Sequence, residues 1–221
     1  MLRSDAQANL DRILAAARKV FAERGLDAKL ADVAAEAGVG VGTVYRRFAS
    51  KEELVATLFD ARLEDVVAEA RTALEFARPL DGIVHFLAVT TQMMADDRAL
   101  RDLLAAGRTS SAHGHLHLPD EMIRRVEALD EEVHELTGRL VEHAKADGSV
   151  RRDFSSTDLG VLSFTIQAAV DFGTDVSPEV WRRVFGMLID GIRADGQRTP
   201  LESPALTQPQ LARALRRKES W

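Results

Sequence analysis

The 221-residue sequence contains no cysteine and only six prolines. Without cysteine the chain can form neither a disulfide framework nor a thiolate metal site, and such a composition is typical of proteins of the reducing cytosol. No apolar run approaches the roughly 20 residues that span a bilayer. The apolar stretch nearest the N-terminus is interrupted by Arg12, Arg18 and Lys19, which argues against a secretory signal. These absences predict a soluble, cytoplasmic protein that does not cross a membrane.

Motifs of the common enzyme classes are also absent. The sequence contains no G-x-x-x-x-G-K-[ST], no G-x-S-x-G and no H-E-x-x-H. Residues 38–42, GVGVG, lack the G-x-G-x-x-G spacing and follow an alanine-rich helical stretch, which excludes a dinucleotide-binding loop. Carboxylates such as Asp130, Glu131 and Glu132 follow the pattern of a solvated helix face. We therefore predict a protein that is not an enzyme and that holds no cofactor.

Helical periodicity dominates the sequence. The chain is 46% hydrophobic, which permits a sizeable core. Apolar residues recur with a period of 3.6 between the prolines, and no stretch alternates as a strand does. The predicted fold is all-α with about nine helices. We expect helices at residues 4–24, 30–37, from 41 on, 51–77, 81–95, 97–106, 119–146, 156–172 and 178–194, and a short one at 207–218.

The glycine and proline positions suggest a division into domains. Gly25 and Gly38 follow the first two helices and can end them in the left-handed conformation. Ser50 and Glu53 form a capping-box pattern that begins a new helix. Three prolines lie between Gln197 and Pro209. We predict a first domain at residues 1–50, a larger helical domain at 51–195 and a C-terminal tail at 196–221.

The stretch Leu30–Phe48 reads LADVAAEAGVGVGTVYRRF and predicts two short helices joined by a tight glycine turn. This is the geometry of a helix-turn-helix. Val44 and Phe48 share the arc that would face the core, whereas Tyr45 and Arg46 share an arc that can reach phosphates and base edges. Although the net charge is −6, residues 38–51 contain three basic residues and no acid.

Three segments together resemble the DNA-binding domain of the TetR family of transcriptional regulators. They are IL-x-AA-x-x-x-F-x-x-x-G at Ile13–Gly25, D-V-A-x-x-A-G-V at Asp32–Val39 and G-T-V-Y-R-R-F-x-S-K-E-x-L at Gly42–Leu54, and they cover about the first quarter of the chain. The chain departs from the family where Ser or Thr is common, at Lys29 and Gly40, and where His is common, at Arg47. By this resemblance the expected DNA-binding residues are Lys29, Val41, Gly42, Thr43, Tyr45, Arg46, Arg47 and Lys51.

The resemblance also implies partners. It implies a double-stranded DNA operator of pseudo-palindromic sequence, a homodimer, and an unknown small-molecule effector bound in the larger helical domain, most often with repression as the outcome. The candidate pocket residues are His85, Phe86, Thr90, Met93, Met94, Phe164 and Gln167. Residues 156–172 are apolar nearly all round and must be covered on more than one side. The expected dimer-interface residues are Phe164, Ala168, Trp181, Val184 and Leu188.

Two other interpretations stay open at this point. The missing hydroxyls at positions 29 and 40 and the acidic total charge also fit a helical binding protein whose DNA-binding module is degenerate. A small helical enzyme is the third possibility, without a catalytic motif. His113, His115 and His117 alternate in a predicted loop and could ligate a transition metal. A surface loop is favoured there, and no metal site is predicted.

Overall fold

The computed structural model describes residues 2–100, 120–173, 176–195, 199, 201 and 203–217, without the side chains of residues 2–7, 60, 61, 212 and 215–217. The described chain is helical, as predicted, and its only extended pairing is a single antiparallel bridge between Val150 and Arg193. A 3₁₀ turn covers Gly25–Asp27. The α-helices are α1 (Leu2–Arg24), α2 (Leu30–Ala37), α3 (Val41–Arg47), α4 (Lys51–Ala73), α5 (Pro79–Asp96), α6 (Asp120–Ala146), α7 (Ser156–Gly173), α8 (Val180–Ile192) and α9 (Gln208–Arg217).

The chain forms two compact units. Unit 1 comprises Met1–Glu64 and Asp96–Glu127, and unit 2 comprises Asp65–Ala95 and Ala128–Trp221. These units are defined by compactness, whereas the boundaries predicted at residues 50 and 195 are based on the sequence pattern. The predicted boundaries therefore stay a prediction. Among the described residues, no helix is both long and apolar enough to cross a membrane.

Unit 1 is built on the apolar faces of its first helices. The helical spacing of α1 buries Ile13, Ala17 and Phe21. On α2 the four apolar residues of one face are all buried; they are Leu30, Val33, Ala34 and Ala37. Two exposed ion pairs join α1 to α2, Lys19–Glu36 at 2.8 Å and Arg24–Asp32 at 3.1 Å. Such exposed surface pairs contribute little to stability because solvent screens them, so apolar burial holds this unit together.

Unit 2 has its own core, centred on Trp181, which is 2% exposed. The ring of Trp181 meets Phe185 edge-on, with centroids 6.1 Å apart. Helices α5, α6, α7 and α8 all supply buried apolar side chains to this cluster. Its larger members are Leu80, Ile83, Phe86, Leu87, Leu140, Val141, Phe154, Leu159, Ile166, Val170, Trp181, Ile189 and Ile192.

Several predicted helix ends differ from the structure by two residues or more, and tertiary contacts explain two of these differences. Helix α4 ends at Ala73 rather than near residue 77, and Pro79 begins α5. A Cβ on Gly82 would lie 2.2 Å from the Ala73 carbonyl oxygen, so the close approach of α5 fixes the end of α4. Helix α8 begins at Val180 rather than at Pro178, and the Val180 side chain fills the space where a Gly173 side chain would lie.

The C-terminal segment folds back on unit 2. The buried Arg151 guanidinium donates to both carboxylate oxygens of Asp153, at 2.6 and 2.9 Å, and to the Thr199 carbonyl at 2.8 Å. The Thr207 N–H donates to Gln210 Oε1 at 2.8 Å, which begins α9 where the sequence predicts it. Leu211 is 7% exposed and packs against Gly160 of α7.

The predicted helix at residues 97–106 is described only up to Leu100. Asp97 accepts a hydrogen bond from the Leu100 N–H at 3.0 Å, the pattern of a helix N-cap. The remainder of that helix and the loop with the three alternating histidines lie outside the described residues. Within the described residues, no three His, Asp or Glu side chains are grouped so that they could hold a metal ion.

Candidate nucleic-acid interface

A glycine turn fixes α3 against α2. Gly38 has a φ of 65°, and its N–H donates to the Ala35 carbonyl at 3.2 Å, while the Val39 N–H donates to Ala34 at 3.0 Å. This pair of bonds is a Schellman motif, which a residue without Cβ adopts readily. Two residues later the Gly40 carbonyl accepts from the Thr43 N–H at 2.8 Å and begins α3. The local sequence therefore encodes the turn between the two helices.

The side chains of α3 divide into a buried and an exposed set. Val44 is fully buried and Phe48, directly after the helix, is 4% exposed. Tyr45 is 55% exposed, and Arg46 and Arg47 are exposed as well. This is the division that the sequence predicts, because residues 44 and 48 are one helical turn apart and hold α3 on unit 1.

The exposed face of α3 is basic and partly ordered by its own hydrogen bonds. Arg46 Nη2 donates to the Thr43 hydroxyl at 3.1 Å, which holds the guanidinium along the helix surface. Both arginines lie in the last turn of α3, where positive charge is favoured by the helix dipole. The arrangement presents an aromatic ring and two guanidinium groups together, a combination suited to phosphates and base edges.

The first turn of α3 contains a residue without a side chain, Gly42. Gly42 is exposed, and a Cβ built on it would have no heavy atom within 4 Å. Its φ is not positive, since the positive-φ glycines among the described residues are Gly25, Gly38 and Gly148. Neither packing against the described residues nor the backbone conformation therefore requires glycine at position 42.

The two missing hydroxyls have different consequences. Lys29 is exposed, and its backbone N–H donates to Asp32 Oδ2 at 2.8 Å, so Asp32 supplies half of a capping box at α2. At Gly40 no side chain caps α3. Helix α2 thus begins without the hydroxyl, and the Lys29 ammonium adds a positive charge at the start of α2.

Lys51 differs from the arginines in its surroundings. Its ammonium donates a hydrogen bond to the Leu26 carbonyl oxygen, and burial lowers the pKa of Lys51 below its usual value of 10.5. Ser50 Oγ accepts from the Glu53 N–H at 3.2 Å, as predicted. Glu53 Oε2 accepts from the N–H of Ala49, at 2.6 Å, one residue earlier than a standard capping box predicts.

The predicted pocket residues are spread through unit 2. Phe86 and Thr90 are buried, and the Thr90 hydroxyl donates to the Phe86 carbonyl at 2.6 Å. His85 is half-buried, with Nε2 2.8 Å from Glu69 Oε2. The remaining four, Met93, Met94, Phe164 and Gln167, are half-buried. A separate surface depression of about 660 Å³ is lined by none of them but by Gly148, Val150, Arg151, Arg152, Asp153, Ala194 and Asp195.

Gln167 has an unusual polar environment. Its Nε2 donates to Asp171 Oδ1 at 3.2 Å, which fixes the orientation of the carboxamide. Its Oε1 is then buried and has no hydrogen-bond partner among the residues that the structure describes. A buried acceptor without a donor costs free energy, so this atom is suited to accept a hydrogen bond from a bound molecule.

The predicted dimer residues are only partly at the surface. Trp181 cannot anchor a dimer as predicted, because it is buried in the core of its own chain. Leu188 packs partly against that core as well. The sequence missed the larger exposed apolar side chains. In unit 2 these are Phe76, Val161, Phe172, Val176, Met187, Leu201 and Leu206.

Helical spacing is the signal that finds part of this set. Residues 161, 165, 168 and 172 follow an i, i+4, i+7, i+11 pattern along one face of α7. Phe172 is 87% exposed and Met187 on α8 is 58% exposed. Of the two predicted interface residues on α7, Ala168 lies on this face, whereas Phe164 lies at its side.

Comparisons with protein families match both parts of the chain. Residues 13–58 match the family described as bacterial regulatory proteins, tetR family. Residues 78–194 match the family described as transcriptional regulator SbtR-like, C-terminal domain. The second match alone covers more than half of the 221 residues.

Individual relatives agree with these matches. The HTH-type transcriptional regulator UidR of Escherichia coli K12 is 33% identical over 87 residues, which are 39% of this chain and 41% of that relative. The chain thus spans about two fifths of the length of that relative. The crystal structure of a TetR regulatory protein from Mycobacterium vanbaalenii is 27% identical and covers 87% of this chain and 99% of its own, with a TM-score of 0.53.

A more distant structure has the same fold. It is the transcriptional regulator FadR from Bacillus subtilis in complex with stearoyl-CoA, 17% identical, covering 83% of this chain and 99% of its own, with a TM-score of 0.56.

Proposed function

Because the chain belongs to the TetR family of bacterial transcriptional regulators, we propose that it is a ligand-responsive repressor that binds a pseudo-palindromic operator as a homodimer. The relatives to which it is similar are regulators that bind DNA rather than enzymes. The residues of this chain that would bind DNA, form the dimer and hold the effector are inferred from its own structure.

The exposed face of α3 is the observation that supports DNA binding most strongly. Tyr45, Arg46 and Arg47 are exposed on the second helix of the helix-turn-helix, and no packing role within unit 1 explains them. We assign base and phosphate contacts to these three residues and to Thr43, and a close approach of the DNA to Gly42. Lys29, exposed at the start of α2, adds a phosphate contact.

The test is selection of a binding site followed by titration. The protein enriches duplexes from a randomised DNA pool, and anisotropy then measures Kd for the selected duplex at several KCl concentrations. We expect two inverted half-sites about 34–36 Å apart and a steep fall in affinity with salt. Arg46→Ala and Arg47→Ala should each weaken binding and lower the salt slope by about 1.8 if each contacts one phosphate in each half-site of the dimer.

The control is Arg183→Ala, which removes the same charge from an exposed position on α8. It should leave the Kd unchanged. If no sequence is enriched above bulk DNA, or if the salt slope is flat, the chain is a helical binding protein with a degenerate DNA-binding module and the proposal is wrong.

The dimer is supported by the exposed apolar faces of α7 and α8. A large exposed apolar patch marks an interaction surface, and a two-fold dimer pairs the same surface from both copies. We place Val161, Ala168 and Phe172 of α7 and Val184 and Met187 of α8 in this interface. Sedimentation of the full chain at micromolar concentration should give the mass of two copies.

We propose that the effector binds in unit 2. Of the predicted pocket residues, Gln167 is the one with an unused buried acceptor, so the effector should combine an apolar body with a hydroxyl or N–H donor. The stearoyl-CoA held by the FadR structure has both kinds of group and makes long-chain acyl thioesters the first probes. A ligand at 100 times its Kd should stabilise the protein by about 2.7 kcal/mol. Gln167→Leu should remove part of that stabilisation, and an absence of any thermal shift across acyl thioesters, sterols and aromatics would contradict this assignment.

A further inference from the structure

Lys51 stands in the first turn of α4, where a lysine and free helix N–H groups together favour a phosphate. The structure places its ammonium elsewhere: it donates to the carbonyl oxygen of Leu26, 25 positions earlier. Leu26 is 2% exposed and lies in the 3₁₀ turn Gly25–Asp27 between α1 and α2. The ammonium is therefore bound to the turn that precedes the helix-turn-helix.

The charges around Lys51 disfavour an incoming phosphate. The carboxylates of Asp27 and Glu52 are the two charged groups that act most on its ammonium. Both are negative, so a phosphate approaching Lys51 would be repelled by them while competing with the Leu26 carbonyl. Arg46 and Arg47 have no acidic residue near them in sequence between Gly38 and Lys51.

The N-terminus of α4 beside Lys51 already interacts with polar groups of the chain itself. The Glu53 N–H donates to Ser50 Oγ at 3.2 Å, and the Glu53 carboxylate accepts from the Ala49 N–H at 2.6 Å. Glu52 and Glu53 make this first turn acidic. Acidic side chains satisfy the helix dipole from within the chain, which leaves little attraction for a second anion.

The position of the contact in the chain suggests what it does. Leu26 precedes α2 and Lys51 follows α3, so the hydrogen bond joins the two ends of the segment that contains both helices. Closing this segment removes freedom from the loop ends and fixes α2 and α3 as a pair.

We propose that Lys51 is a positioning residue that holds the helix-turn-helix closed through the Leu26 carbonyl, and not a phosphate ligand. The inference rests on the proposed DNA-binding function. It corrects the expectation that Lys51 belongs to the DNA-contacting set, and it predicts that affinity depends on the hydrogen bond of Lys51 rather than on its charge.

The experiment compares two uncharged variants of the full chain, Lys51→Met and Lys51→Gln. Only glutamine retains N–H donors for the Leu26 carbonyl. Kd for the selected duplex is measured across KCl concentrations, with Lys29→Met as the matched loss of one exposed lysine charge in the same unit. Amide hydrogen exchange of residues 25–54 is followed in parallel.

We expect Lys51→Met to weaken binding by about tenfold or more, because a hydrogen bond from a charged donor is lost. Lys51→Gln should recover part of that affinity, and both variants should keep the wild-type salt slope. Lys29→Met should instead lower the slope by about 1.8, because the dimer carries two copies of Lys29. Faster exchange in residues 25–54 of Lys51→Met should accompany the loss.

Two results would overturn the inference. A salt slope lowered by about 1.8 in both Lys51 variants, one phosphate for each protomer of the dimer, would make Lys51 a phosphate ligand. Unchanged affinity and unchanged amide exchange would remove its positioning role. If the wild type selects no duplex, the proposed DNA-binding function fails, and amide exchange still decides whether Lys51 holds the segment closed.

Discussion

Replacing Gly42 by alanine should change stability and DNA affinity in opposite directions. Glycine within a helix costs about 0.5–1 kcal/mol relative to alanine. A Cβ at this position meets no heavy atom of the described residues within 4 Å, so no steric contact with them offsets the gain. Because Gly42 lies in the first turn of α3, we expect the lower end, about 0.5 kcal/mol. For a domain of the size of unit 1 this raises Tm by about 2–4 °C.

The same methyl group should weaken operator binding. If the DNA approaches α3 closely at Gly42, the added carbon overpacks a tight interface, which costs about 1–3 kcal/mol. That corresponds to an increase in Kd of about 5- to 150-fold. Thermal unfolding followed by circular dichroism gives the first quantity, and anisotropy with the selected duplex gives the second.

Gly186→Ala is the matched control. Gly186 is also an exposed helical glycine with no heavy atom within 4 Å of its Cβ position, but it lies on α8 in unit 2. It should gain similar stability with unchanged Kd. A Gly42→Ala variant that binds DNA as tightly as the wild type would refute the close approach, and one that unfolds earlier would refute the open space around Gly42.

Three further predictions concern unit 2. A Cβ on Gly160 would lie 2.8 Å from Leu211 Cδ2, so Gly160→Ala should loosen α9 in the wild type but stabilise α7 in a Leu211→Ala background, with proteolysis of the C-terminal segment and thermal unfolding as readouts. Phe172→Glu should shift sedimentation towards the monomer without changing the helical content, since Phe172 is exposed in the single chain. Hydrogen bonding to Ser149 lowers the pKa of Asp147 below its ordinary 3.8, so its stabilisation is present above about pH 3.8 and is lost as the pH falls through the folded-state pKa. The difference in urea stability between wild type and Asp147→Ala should therefore stay constant above about pH 5 and shrink as the pH falls below about 3.8, and a difference that is still constant at about pH 3 would contradict this.

The helix-turn-helix could be predicted from sequence because its determinants are local. The apolar spacing of α2 and the left-handed Gly38 define the turn within ten residues, and Val44 and Phe48 identify the buried side of α3. Tertiary contacts decide what the sequence missed. The helix start predicted at residue 178 moves to Val180, because the Val180 side chain packs on Gly173.

Function-bearing details were harder to predict for the same reason. Core and interface both require apolar residues, so the sequence could not tell that Trp181 is buried while Met187 is exposed. The half-buried state of Lys51 depends on a carbonyl 25 positions away. The unused acceptor of Gln167 likewise depends on which atoms surround it after folding.

The hydrogen bonds from Arg151 to Asp153 and to the Thr199 carbonyl limit how far the chain can be shortened from its C-terminus. Family similarity ends at residue 194, and a truncation there would seem to preserve a complete domain. It would remove the Thr199 carbonyl that accepts from Arg151 and the Leu211 side chain that covers Gly160. A buried guanidinium would lose an acceptor, at a cost of about 1–3 kcal/mol. The folded part of unit 2 therefore extends at least as far as α9, beyond the last residue that the family model matches.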